Sequence, residues 1–105
     1  MNSSARRQLA MSALVAEKVR ADPDAALKRA RRRLDDLRAM PSAQRGMEWL
    51  DEWAERIDRG PEAVIEILLD PSDHGHDMRQ MTPFSGVLSN EERWAVLRKV
   101  YREVA

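Results

Sequence analysis

Proline placement constrains this chain more than any other feature. Pro23, Pro41, Pro61, Pro71 and Pro83 are spread through the 105 residues. None is an easy site for a helix to pass through, because proline lacks the backbone N–H and its ring collides with the preceding turn. The residue before each is also pushed out of the α region. Between these breaks the apolar residues recur at helical spacing and signs of strand are nearly absent. The chain therefore reads as one all-α domain over 1–105, a small bundle of five to six short helices, with residues 1–5 outside the ordered part.

The punctuation assigns each segment. A first helix from near Ser4 to Ala21 carries Met11, Leu14, Val15 and Val19 on one side, interrupted by Lys18. Asp22-Pro23 restarts the chain, since Asp caps and proline at the first helical position has its φ preset. The second helix runs to about Met40 with Leu27, Ala30, Leu34 and Leu37 in one stripe, and Pro41 ends it. Ser42 is a cap for a third helix over Ala43–Arg59. There Met47, Leu50, Trp53, Ala54 and Ile57 share one arc, with Trp49 at its edge, and Glu48, Asp51, Glu52, Glu55 and Asp58 share another. Gly60-Pro61 stops and restarts the chain. Glu62–Leu69 is apolar nearly all round, as a central helix is, although its Val and Ile also suit a buried strand. Asp70-Pro71-Ser72-Asp73 opens a short helix toward Gln80, Thr82–Gly86 is a turn or extended link, and Ser89-Asn-Glu-Glu92 is a capping box. In the last helix Trp94, Leu97, Val100, Tyr101 and Val104 form the apolar arc, opposite Arg98, Lys99 and Arg102. Trp53 and Trp94 are expected in the core.

At this length about two-thirds of the unfolded surface can be buried, which leaves modest stability and room for a partner chain to add more. There is no cysteine, so thiol chemistry and disulfides are excluded and nothing favours secretion. The N-terminus lacks the long apolar run of a signal peptide and no stretch approaches a membrane span, so a cytoplasmic protein is expected. Net charge is zero but unevenly placed: residues 1–40 are rich in arginine and residues 41–78 in Asp and Glu. The simplest consequence is pairing between the basic and acidic helices.

Chemistry-bearing constellations are sparse. Asp73-His74-Gly75-His76-Asp77 holds ligand types suited to zinc or manganese. On a helix, however, the two imidazoles point about 200° apart, so neither a metal, a cofactor nor a catalytic residue is assigned and no enzyme activity is expected. Lys28, Arg31 and Arg32 in the run Lys28–Arg33 are the candidate nucleic-acid contacts, opposed by Asp35 and Asp36 on the same outer arc. Phe84, between Pro83 and Gly86, suits either an interface or the domain's own core.

The stretch Arg79-Gln-Met-Thr-Pro-Phe-Ser-Gly-Val-Leu-Ser-Asn-Glu-Glu-Arg93 resembles small actinobacterial antitoxin-like proteins. The resemblance covers less than a fifth of the chain. It implies a bacterial antitoxin whose C-terminal region wraps a toxin, with dimerisation or operator binding left to the N-terminal part, although no DNA-binding domain is evident. Together with the apolar loop and capped helix over 79–105, this makes the leading expectation a non-enzymatic protein-interaction module that neutralises a partner toxin. Phe84, Val87 and Leu88 would enter an apolar pocket of the partner, Arg79 and Arg93 would meet acidic groups, and Trp94 would brace the loop. A nucleic-acid-binding regulator using the second helix is the alternative, and a homodimer is the other assembly open to the chain.

Overall fold

The computed structural model describes residues 2–104, with side chains through Arg102. Among them there are six α-helices and no strand: α1 (Ser3–Ala21), α2 (Pro23–Ala39), α3 (Met47–Arg59), α4 (Pro61–Leu68), α5 (Asp73–Gln80) and α6 (Asn90–Val104), with a 3-10 segment over Pro41–Gly46 between α2 and α3. The expected small all-α bundle is the fold. Its radius of gyration of 13.6 Å is close to the roughly 13 Å expected at this length. No helix among the described residues is long and apolar enough to cross a membrane.

Local chemistry explains the boundaries, including three that differ from the sequence reading. The α1 helix begins at Ser3 because the Asn2 side chain accepts the Ala5 N–H at 2.8 Å, which draws Ser3–Ala5 into the first turn. Ser42 does not cap α3: Pro41–Gly46 winds as 3-10 and α3 starts after Gly46 with no side-chain cap. Pro71 is not the first residue of α5 either. Ser72 caps that helix through Gly75 N–H, while the Asp70 carboxylate accepts the Ser72 N–H at 2.8 Å and holds the turn. Pro23 and Pro61 do open α2 and α4, and Gly60 has φ 118°, a conformation that side chains with a Cβ resist. The Ser89–Glu92 capping box forms as expected, with N–H···O distances of 3.1 and 2.9 Å.

The core gathers around α4, whose Ala63, Val64, Ile67 and Leu68 are all buried. It is helical throughout, which settles the helix-or-strand ambiguity of that segment. Around it α1 contributes Val15, Ala16 and Val19, α2 Ala30 and Leu34, α3 Leu50, Trp53 and Ile57, and α5 Met78. The Trp53 indole donates to the Met78 carbonyl at 2.8 Å, so the largest core side chain carries no unpaired polar atom into the interior. The basic α2 and acidic α3 run antiparallel, joined by Arg31–Asp58 and Arg38–Asp51. Exposed pairs of this kind add well under about 1 kcal/mol each, so they select register more than they stabilise. Arg33, expected near that seam, forms neither pair.

Helix α6 is the outlying element, packed mainly on α1. The two run antiparallel, with Lys18 Nζ 3.0 Å from Glu92 Oε2 near one end and Arg7 Nη1 donating to Tyr101 Oη at 3.5 Å near the other. Val96 and Val100 lie against Ala10, Ala13 and Leu14. The side chain of Val104, expected on this arc, lies outside the described residues.

Candidate functional site

The segment between α5 and α6 turns inward. Pro83 is fully buried, and Phe84, 3% exposed, meets Trp53 edge-on with ring centroids 5.8 Å apart. Two local bonds shape the turn: Phe84 N–H donates to Thr82 Oγ1 at 3.1 Å and Val87 N–H to the Phe84 carbonyl at 3.3 Å. From α2, Arg29 Nη2 reaches the Gly86 carbonyl at 3.1 Å and ties the turn down. Val87 and Leu88 are half-buried against the core. The expectation that Phe84 anchors a partner is therefore corrected: the core left open beside Trp53 is filled by this chain's own ring. Val87 and Leu88 are likewise committed largely to the chain itself.

Arg79 is corrected in the same way. It is 4% exposed and so presents no charge to an outside surface. Its Nε donates to Gln8 Oε1 at 3.0 Å, and its Nη1 donates to the carbonyls of Ile67 (3.2 Å) and Asp70. Those carbonyls lie at the C-terminal end of α4, where a cation satisfies unpaired acceptors and suits the helix dipole. Burial pulls the Arg79 pKa below the usual arginine value, and the Asp70 charge partly opposes this. The group stays a cation, as arginine does in proteins. Gln8 completes the arrangement. Its Oε1 also accepts from His76 Nδ1 at 3.0 Å, while His76 Nε2 accepts from Gln80 at 3.0 Å. Sequence spacing gave no warning of this, because Gln8 is 71 residues from Arg79.

Beside this network, under the turn and between α1 and the start of α6, lies an open cleft of about 200 Å³. Met11, Val15, Leu68, Phe84 and Leu88 make most of its wall, and its polar groups are Gln8, Ser12, Thr82, Ser85, Arg79 and Arg93. The cleft thus brings together Arg79, Phe84, Leu88 and Arg93 from the sequence-derived set, arranged around an internal space instead of across a docking surface.

Trp94, expected in the core, is 61% exposed, and Tyr101 is 56% exposed. The physical reason is that α6 meets α1 along one stripe, Val96, Leu97 and Val100. Trp94 is two residues before Val96, about 200° around the helix. On α6, Trp94, Arg98, Tyr101 and Arg102 are all exposed and fall within about 100° of one another. The aromatic pair is thus framed by two arginines on the outer face.

The remaining candidates separate. His74 Nε2 lies 2.8 Å from Glu52 Oε1 on α3, whereas His76 faces Gln8 on α1, so the two imidazoles serve different helices. No group of His, Asp and Glu among the described residues is arranged to hold a metal ion. Burial tends to raise the Glu52 pKa, but hydrogen bonds from Arg56 and His74 outweigh it and hold the carboxyl below its usual range. On α2, Lys28 and Arg32 are exposed, Arg31 is paired with Asp58, and Asp35 and Asp36 are exposed on the same helix. No protein-family model, curated protein or solved structure matches the chain.

Proposed function

We propose that the chain is a protein-interaction module that docks through the outer face of α6 onto a partner protein whose surface is apolar and acidic. The observation that carries this is the exposed pair Trp94 and Tyr101, one helical repeat apart and flanked by Arg98 and Arg102. Trp, Tyr and Arg are the residue types that concentrate binding energy at interfaces, and their placement on one helix face suits helix-in-groove docking. The basic frame selects an acidic rim on the partner. Toxin neutralisation is the specific form suggested by the likeness of residues 79–93 to antitoxin-like proteins; the contact is assigned to α6 and not to the buried Phe84.

The test is co-expression of the tagged chain with the products of neighbouring genes, followed by native mass spectrometry. A stoichiometric heteromeric complex is expected. The double variant Trp94→Ala/Tyr101→Ala should weaken it by at least about tenfold. The thermal midpoint of the free chain should hardly change, because both side chains are already exposed. Recovery of the chain alone or with nucleic acid only, or unchanged affinity in the double variant, would overturn the reading. For the specific form, co-expression should restore growth to cells arrested by the partner.

A further inference from the structure

The cleft under the 82–88 turn contains a charge that the protein itself does not fully answer. Arg79 is 96% buried, yet its hydrogen-bond partners are an amide oxygen and two backbone carbonyls, all neutral. The nearest opposing charge, Asp70, attracts it at longer range while its carboxylate accepts the Ser72 N–H. Nε and Nη1 make the bonds to Gln8, Ile67 and Asp70, which leaves Nη2 as the guanidinium nitrogen without a partner among the described residues. No side-chain nitrogen or oxygen among them is both sealed from solvent and unpaired, so Nη2 opens onto accessible space. Arg79 lines the cleft, and a second arginine, Arg93, lines it from the start of α6.

A guanidinium fork suits a carboxylate better than any other common small anion except phosphate. The surroundings choose between these two. A phosphate is hydrated on all sides, whereas Met11, Val15, Phe84 and Leu88 offer apolar wall next to the charge. The size fits as well: an apolar cavity of roughly 150 Å³ accepts benzene, and this cleft is about 200 Å³. Ser12, a hydroxyl buried on the inner face of α1, supplies a further donor.

We propose that this cleft binds a carboxylate on a short apolar group, with Arg79 and Arg93 receiving the anion and Met11, Val15 and Leu88 the apolar part. The inference does not depend on α6 docking to a partner, because the cleft and the outer face carrying Trp94 are different surfaces. The same chemistry occurs in a free organic acid and at a peptide C-terminus ending in an apolar residue, so the test carries both.

The chain labelled with ¹⁵N would be titrated with benzoate, with N-acetyl-glycyl-leucine and with the neutral analogue benzamide. The expected result is saturable amide shifts confined to the Met11–Val15 and Thr82–Leu88 backbone for one or both acids. Benzamide should bind at least about tenfold more weakly. The tighter acid identifies the source. Arg79→Met should abolish the shifts; because Arg79 also caps α4, Ser12→Leu provides a second variant that fills the cleft and leaves the α4 cap alone. Binding by neither acid, equal binding of benzamide, or shifts that persist in folded Ser12→Leu would overturn the proposal.

Discussion

Gly75 brings α5 so close to the end of α4 that a methyl group there would stand 2.2 Å from the Asp70 carbonyl oxygen and 2.9 Å from Arg79 Nη1. A backbone oxygen cannot swing away as a side chain can, so Gly75→Ala must push α5 off α4 or break the Arg79 bonds. A loss of about 1–3 kcal/mol is expected, read from the urea midpoint. Phe84→Ala removes the ring from its contact with Trp53 and should destabilise by about 3–5 kcal/mol. Its cost belongs to folding, so partner affinity measured on the folded fraction should be unchanged. From sequence, Phe84 was even between core and interface, since a Pro/Gly-bounded apolar loop has the same composition whether it turns inward or outward. What decided it was the space beside Trp53, a product of tertiary packing. Arg79 was misread for a related reason: an arginine in a polar stretch suggests solvent, and only the carbonyls at the end of α4 explain its burial.

At the scale of elements, local signals were legible wherever one residue type does one job. The capping box of α6 and the prolines opening α2 and α4 stood where the pattern put them. Failures occurred where two caps competed, as when Ser72 displaced Pro71 from the start of α5. The exposed face of Trp94 was missed because α6 rests mainly on a single neighbour, which no periodicity reveals. The capping box also makes α6 acid-sensitive. The Ser89 backbone N–H and the Lys18 side chain hold the Glu92 pKa below its ordinary 4.5. A carboxyl depressed in the folded state contributes stability that is complete above that ordinary value and lost as pH falls through the lowered pKa. The Ser89 amide proton should therefore titrate with a midpoint below 4.5. Raising salt should move that midpoint upward as the Lys18 attraction is screened, and Glu92→Gln should remove the titration. A midpoint at or above the ordinary value would mean the cap is not formed in solution.

The whole molecule divides into a closely packed centre and an attached helix. Helices α1–α5 share the core around α4, and each of α2, α3 and α5 meets at least two other elements. Helix α6 has α1 as its main neighbour, Val100 as its buried residue among those described, and a single close ion pair, Lys18–Glu92. Local opening requires free energy in proportion to the contacts given up, so elements with few contacts open first and the core opens only on global unfolding. Native-state hydrogen exchange should accordingly find α6 protected least and α4 most, with α4 matching the global stability from denaturant unfolding. Ser89→Ala, which removes a cap worth about 1 kcal/mol, should speed exchange in α6 about fivefold and leave α4 nearly unchanged. Equal protection of α6 and α4 would instead make the bundle one cooperative unit. The expected gradient also bears on docking, because a partner gripping Trp94 and Tyr101 would hold α6 closed on α1. Complex formation should therefore raise α6 protection more than that of any other helix.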